Sequence, residues 1–119
     1  YTGVNMQVHI KDIGGEIVKE DDRYIVKDNT SLRNLALSST FLTAGKSTTG
    51  HAHVGQEEVY YFVEGVGEME LISTNGERTL ETVGPGSVVL IQDGYFHRVH
   101  NTGDYGLYFV CVFDGRRTH

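Results

Sequence analysis

Short β-rich segments separated by glycine turns place the strongest limit on what this chain can fold into. The sequence contains 15 glycines and one proline, and no segment of useful length repeats its apolar residues with the helical period. About ten short segments at close spacing indicate a sandwich or barrel, so we expect an all-β fold. The predicted strands span residues 6–13, 23–26, 32–42, 51–54, 58–63, 68–73, 78–83, 87–91, 96–100 and 107–113.

One turn is specific enough for its geometry to be predicted. Asn75 and Gly76 stand between two β-rich segments. This dipeptide favours the type I′ turn, in which both central residues need positive φ angles. We therefore expect a β-hairpin with a type I′ turn at Asn75 and Gly76.

Size and charge exclude several functions. The length of 119 residues predicts one domain over residues 1–119. The formal net charge of −6 does not suit binding to nucleic acid or to an anionic membrane surface. No apolar stretch is long enough to span a bilayer. Residues 1–5 are expected to be either an addition to the natural sequence or a flexible arm.

A single cysteine, Cys111, limits the redox chemistry of the chain. An intrachain disulfide is impossible, which favours a cytoplasmic protein. Cys111 lies within the β-rich segment 107–113, where a buried and unreactive thiol is the expected state.

Two segments, residues 88–91 and 107–113, are apolar on both faces. A strand of a small barrel should alternate, because one of its faces meets water. Continuous apolarity indicates that part of the outer surface is covered. Packing against a second copy, as a homodimer, is favoured over cover by an N-terminal arm.

Three histidines and a carboxylate predict a metal site. His51 and His53 are two residues apart, so on a strand both imidazoles would lie on one face and could reach one ion. Glu57 or Glu58 follows after a turn, and His97 would arrive from a distant strand. Imidazole nitrogens with one carboxylate suit one divalent transition metal: Fe, Mn, Ni, Zn, Co or Cu. Glu57 and Glu58 point to opposite faces of a strand, so only one can take part.

The spacing of these residues resembles the two conserved motifs of the cupin family. Residues 45–65 match Gly-x5-His-x-His-x4-Glu-x6-Gly, which selects Glu58, and residues 86–101 match the second motif except for Gln92 in place of a proline. The resemblance implies a single-domain jelly-roll β-barrel with the metal inside one end. It also implies that the ligands are His51, His53, Glu58 and His97. His100 is out of phase with His97 and is expected to face away from the ion.

Local sequence also resembles the cupin-type phosphoglucose isomerases of archaea. In those enzymes the matching Glu58 and Tyr60 lie beside the sugar, so both are candidate catalytic residues for metal-assisted proton transfer on a small sugar, sugar phosphate, or hydroxy or keto acid. Residues 48–50 could offer donors to a phosphate. Lys46 and Arg98 are the nearest cations, and each is expected to be a surface charge.

Two other functions fit the same ligands. One is a metal-dependent dioxygenase or oxalate-type decarboxylase, with Phe62 and Phe96 as apolar neighbours of the pocket and Glu57 or Asp93 as an additional acid. The other is a non-catalytic cupin that binds a small ligand through the metal. Tyr24 could lean over the mouth of the barrel, although a packed aromatic at a sheet edge is the favoured interpretation.

Overall fold

The computed structural model describes residues 7–115. These residues form nine β-strands and no helix, which confirms the predicted all-β class. The described part of the chain thus contains no helix long and apolar enough to cross a membrane. The prediction for residues 1–5 falls outside the described residues. The strands are β1 Glu16–Glu20, β2 Tyr24–Asn29, β3 Leu35–Leu42, β4 Glu58–Glu64, β5 Gly67–Ile72, β6 Arg78–Val83, β7 Val88–Ile91, β8 Phe96–His100 and β9 Leu107–Asp114.

The strands pair in two antiparallel sheets. The large sheet has the order β1-β2-β3-β9-β4-β7 and the small sheet has the order β6-β5-β8. This non-sequential order is consistent with the predicted jelly roll. Strand pairing does not close the two sheets into one barrel within residues 7–115. The segment between β3 and β4 pairs with β8 through the isolated bridges Ser47–His100 and His51–His97 and forms no regular strand ladder with it.

The core lies between the two sheets because each sheet turns one alternating face inward. On β4, Tyr60 and Phe62 are buried, whereas Val59 and Tyr61 are exposed. The small sheet contributes Met69 and other residues of β5, β6 and β8 to the same core cluster. The largest fully enclosed side chains are those of Phe62, Ile13, Leu42, Met69, Leu107 and Val99.

The predicted N-terminal strand is wrong for the described residues 7–13. His9 and Asp12 form an isolated bridge across a turn, and the Asp12 carboxylate accepts a hydrogen bond from the Gly14 amide at 3.1 Å. A strand forms instead at β1. Sequence analysis missed β1 because all five of its residues are exposed, so no buried face marks it in the sequence.

The predicted strand over residues 51–54 does not form either. Only His51 pairs, through its bridge to His97. The chain then turns, and the Gly55 amide donates to Oδ1 of Asp93 at 2.5 Å. This hydrogen bond fixes the turn that follows His53 against the turn that precedes β8.

The hairpin at Asn75 and Gly76 forms, but its turn type was predicted wrongly. Ile72 pairs with Arg78, so five residues (73–77) join β5 to β6. Gly76 has a φ of 89°, and no non-glycine residue among residues 7–115 has a positive φ, whereas a type I′ turn needs two. The Gly76 amide donates to the carbonyl of Ser73 at 3.0 Å.

Asn101, the last residue of the second motif, has a structural role. It is buried, and its Nδ2 donates to the carbonyl oxygens of Leu42 at 3.0 Å and Tyr105 at 2.8 Å. Its Oδ1 accepts from the Gly103 amide at 2.9 Å. These bonds tie the end of β3 to the turn before β9, and they satisfy backbone groups that burial would otherwise leave unpaired.

Candidate metal centre

Glu58 begins β4 and lies on its inner face. It is 5% exposed, whereas Glu57, just before the strand, is exposed to solvent. Tyr60 follows on the same face as Glu58, as the two-residue period of a strand requires. The structure therefore places Glu58 and Tyr60 inside the molecule and Glu57 outside it.

His51 and His97 are brought together by backbone pairing. The His51 amide donates to the carbonyl of His97 at 3.2 Å, and the His97 amide donates to the carbonyl of His51 at 2.9 Å. The two rings lie 4.4 Å apart between centroids and meet nearly edge to face, at 77°. The loop that carries His51 is thus fixed against β8, although the two histidines are far apart in sequence.

The donor atoms of His51, Glu58 and His97 lie within 4.8 Å of one another. Nε2 of His97 is 2.9 Å from Oε2 of Glu58, and both side chains are almost completely buried. Two imidazole nitrogens and a carboxylate oxygen form a donor set that suits a first-row transition metal. These three residues could therefore hold a metal ion.

His53 lies beside this group. Its ring centroid is 4.9 Å from that of His51, and its Nε2 is shielded from solvent, as are the Nε2 atoms of His51 and His97. Its carbonyl accepts a hydrogen bond from the Gly94 amide at 3.1 Å, which anchors this part of the loop. The cluster of mutually close donor atoms does not include His53, so its role as a fourth ligand remains a prediction.

A cavity of about 280 Å³ opens beside the cluster. Such a volume suits a small molecule. Six of its lining residues carry a hydroxyl group, although apolar atoms make up the larger part of its surface. The lining residues are Val18, Lys19, Tyr24, Val26, Ser38, Thr40, Thr48, Thr49, His51, Glu58, Tyr60, His97, Phe109 and Cys111.

The expected apolar neighbours of the pocket are not the observed ones. Phe62 is fully buried beneath the cavity and does not line it. Phe96 packs over Gly50, where an added Cβ would lie 2.1 Å from the Phe96 ring, so a larger residue at position 50 would displace that ring. The aromatic residues that line the cavity are Tyr24, Tyr60 and Phe109.

Tyr60 sits in an apolar and aromatic environment. Its ring stacks on Phe109 at 5.4 Å and lies 5.7 Å from the ring of His97. Burial, followed by the nearby Cys111 and Glu58, raises the pKa of Tyr60 well above its ordinary value. The phenol is therefore protonated at neutral pH. Cys111 is also buried, and burial raises the pKa of its thiol, which fits the unreactive thiol expected from the sequence.

Four charged residues suggested by the sequence lie outside the cavity. Lys46, Glu57 and Asp93 are exposed and do not line it. Arg98 also lies outside, where its Nε donates to the carbonyl of Thr48 at 2.9 Å. Arg98 thereby holds the loop that carries His51.

The sequence analysis missed Lys19, which lines the cavity from β1. No motif includes this residue, and its strand was not predicted. Tyr24 is 5% exposed and also lines the cavity, so it is at once packed and next to the site. Residues 19–24 contain three acids, two bases and one aromatic residue, so their composition does not point to a role for Lys19.

Comparison with known proteins identifies the family. The model of the cupin domain matches residues 40–113, and this chain belongs to the cupin family. That match covers all four predicted ligands, but neither β1 nor β2.

Curated relatives include two archaeal proteins named glucose-6-phosphate isomerase. The one from Thermococcus kodakarensis is 30% identical over 116 residues, which cover 87% of this chain and 61% of the relative. The one from Pyrococcus abyssi is 30% identical over 117 residues, which cover 87% of this chain and 62% of the relative. This chain thus spans about three fifths of the length of these relatives.

Solved structures share the fold at lower identity. Bacillus subtilis oxalate decarboxylase superposes with a TM-score of 0.80 at 22% identity, covering 100% of this chain and 32% of that one. The capsular polysaccharide assembling protein CapF from Staphylococcus aureus superposes with a TM-score of 0.75 at 22% identity. The match covers 87% of this chain and 30% of CapF. At such identity the likeness shows the fold alone.

Proposed function

We propose that this protein is a metal-dependent enzyme that moves a proton on a small sugar, sugar phosphate, or hydroxy or keto acid, as an isomerase does. One observation carries the proposal. The donor atoms of His51, Glu58 and His97 converge within 4.8 Å at the wall of a cavity of about 280 Å³. The hydroxyl groups around this cavity suit a polyhydroxylated ligand.

One divalent transition metal, Fe, Mn, Ni, Zn, Co or Cu, would be held by His51, Glu58 and His97, with His53 as the proposed fourth ligand. When bound, the metal would polarise a carbonyl or hydroxyl group of the substrate. Glu58, as a buried carboxylate, is proposed to accept the substrate proton. Its place at the cavity wall puts it within reach of a bound molecule.

Tyr60 is the second proposed catalytic residue. It lies one strand period beyond Glu58 and lines the same cavity. Its ring is fixed against Phe109, so the hydroxyl has little freedom to move. We propose that this hydroxyl hydrogen-bonds the substrate and orients it toward Glu58.

The curated relatives support the isomerase proposal. Proteins named glucose-6-phosphate isomerase match 87% of this chain, including the segment that carries the four proposed ligands. The alternative function, a dioxygenase or oxalate-type decarboxylase, has the fold of oxalate decarboxylase as its support. Among the described residues that line the cavity, Glu58 is the only carboxylate. Glu57 and Asp93, the acids considered for decarboxylation, line a separate cavity that shares Glu58. Non-catalytic binding of a small ligand is the third possibility.

Proton transfer can be tested directly. The protein would be purified without chelator, assayed for metal by mass spectrometry, and incubated in D₂O, under nitrogen and in air, with glucose 6-phosphate, ribose 5-phosphate and hydroxypyruvate. An isomerase would incorporate deuterium at a substrate carbon without oxygen, and the His51→Ala variant would not. A requirement for oxygen, or release of carbon dioxide, would favour the alternative. Metal-dependent binding without turnover would favour a binding protein.

A homodimer is the proposed assembly, and a second copy is the proposed partner. Val59, Tyr61, Val88, Leu90 and Val112 are exposed on the outer face of the large sheet. They are neighbours across β7, β4 and β9, with Val59 opposite both Leu90 and Val112. This apolar face reaches β7, the open edge of the sheet. Burying such a face against an identical one would remove it from water. A cytoplasmic location stays a prediction from the single cysteine.

A further inference from the structure

The cavity beside the candidate metal centre has a charged group that no motif includes. Lys19 is the only lysine or arginine among the described residues that line it. The chain as a whole carries a net charge of −6, so its overall field repels anions. The positive charge of Lys19 at the cavity therefore attracts anions locally, whereas the net charge of the chain repels them.

A β-bulge directs Lys19 toward the cavity. Ile17 pairs with Lys27, but Lys19 pairs with Val26, so Val18 is an additional residue between two regular pairs. Consecutive residues of a regular strand point to opposite faces. Val18 and Lys19 nevertheless both line the cavity. Bulges occur beside functional sites because they redirect a side chain in this way.

The surroundings of Lys19 form a polar cluster at the cavity. Its ammonium nitrogen lies 5.2 Å from the ring centroid of Tyr24. The Tyr24 hydroxyl donates to Oγ1 of Thr49 at 3.4 Å, and Nη1 of Arg23 donates to the same oxygen at 3.2 Å. A cation and two hydroxyl groups thus lie beside a cavity that also contains Glu58.

Lys19 contacts the Tyr24 side chain but has no carboxylate partner among the described residues. Arg23, by contrast, forms an ion pair with Asp21, at 2.9 Å between Nη2 and Oδ2. Lys19 is therefore the group in this cluster that can bind an anion.

We propose that Lys19, together with the hydroxyl groups of Tyr24 and Thr49, binds the anionic group of the substrate, a phosphomonoester or a carboxylate. This inference rests on the proposed function, in which the same cavity presents the rest of the molecule to Glu58. Charge-assisted hydrogen bonds of this kind are stronger than neutral ones. Anionic ligands should then bind about tenfold or more tightly than their neutral analogues.

The test is calorimetric titration of the metal-loaded and the chelator-treated protein with glucose 6-phosphate, glucuronate and glucose. The wild type should prefer an anionic sugar to glucose by about tenfold or more, and added salt should reduce the preference. The stronger of the two anions identifies phosphate or carboxylate as the natural group. Lys19→Gln should abolish the preference, and Lys19→Arg should retain it. Lys27→Gln, the same charge change outside the cavity, should leave it intact.

The outcomes separate this inference from the proposed function. Equal binding of anionic and neutral sugars, or an unchanged preference in Lys19→Gln, overturns the role of Lys19 while leaving the enzyme proposal standing. Loss of the preference in both Lys19→Gln and Lys27→Gln would indicate a general charge effect and also overturn it. Failure of the wild type to bind either anionic sugar, with or without metal, would also overturn the role of Lys19, whereas the enzyme proposal is decided separately by deuterium incorporation. Thermal unfolding of each variant shows whether it is folded.

Discussion

His97 and His100 lie three residues apart on β8, and their side chains belong to different clusters. His97 is 3% exposed and lies 2.9 Å from Glu58 between the sheets. His100 instead contacts Ser47 at 2.6 Å through Nδ1 and Glu70 at 2.8 Å through Nε2. An odd separation on a strand puts side chains on opposite faces. One strand therefore supplies both a candidate ligand and a bond that holds the loop preceding His51.

Replacing His97 with alanine should remove most of the metal and destabilise the fold. The substitution deletes a proposed ligand and takes away the imidazole that contacts the buried Glu58 carboxylate. We expect the free energy of unfolding to fall by about 3 kcal/mol. Elemental analysis and chemical denaturation measure the two effects, and His9→Ala, at an exposed histidine, is the control. Full metal content in His97→Ala would refute the assignment of this ligand.

The register of β4 can be tested with two neighbouring acids. Glu58→Ala should lower metal content several-fold, because Glu58 is buried within the donor cluster. Glu57→Ala should leave the content near that of the wild type, because Glu57 is exposed. Both variants lose one negative charge, so each controls for the other. The opposite pattern in elemental analysis would show that the other face of the strand carries the ligand.

Glu70 should make the free energy of unfolding depend on pH. Hydrogen bonds from Arg78 and then from His100 lower the pKa of Glu70 below its ordinary value of 4.5. A lowered pKa means that the folded state favours the carboxylate. The stabilisation is therefore complete above about pH 5 and is lost as the pH falls through the folded-state pKa.

Denaturation of wild type and Glu70→Gln between pH 7 and pH 3 measures this effect. The difference in unfolding free energy, about 1 kcal/mol, should be constant near neutrality and should shrink below pH 4.5. Glu81→Gln, which removes the same charge from an exposed position on β6, serves as the control for net charge. A difference that grows toward low pH would reverse the expected sign.

The apolar outer face of the large sheet should mediate dimerisation. Leu90 is 70% exposed on β7, and a charge at its position would have to be buried in the proposed interface. We expect a dimer for the wild type and a folded monomer for Leu90→Glu, as measured by sedimentation velocity. Leu80→Glu, on the exposed strand β6 of the small sheet, should remain dimeric. A monomeric wild type at micromolar concentration would exclude this interface.

Much of the fold could be predicted from local patterns. The two-residue period of a strand predicts that Glu58 and Tyr60 share one face of β4, and the spacing of the motif selected that face over the one that carries Glu57. The pairing of Asn75 with Gly76 predicted a hairpin, but the loop is longer because the register of β5 and β6 sets its length. The strand expected at residues 51–54 does not form: only His51 pairs, with the distant His97, and the chain then turns at Gly55, whose amide donates to Asp93.

By itself, the sequence determined the family of the protein and the residue types available to a metal, because motif spacing and strand periodicity are local properties of the chain. Tertiary structure alone decided that His51, Glu58 and His97 meet, since backbone pairing between distant segments brings them together. It also decided that Lys19 lines the same cavity. A bulge forms only when two strands pair. The change in side-chain direction that it causes therefore cannot be predicted from residues 16–20 alone.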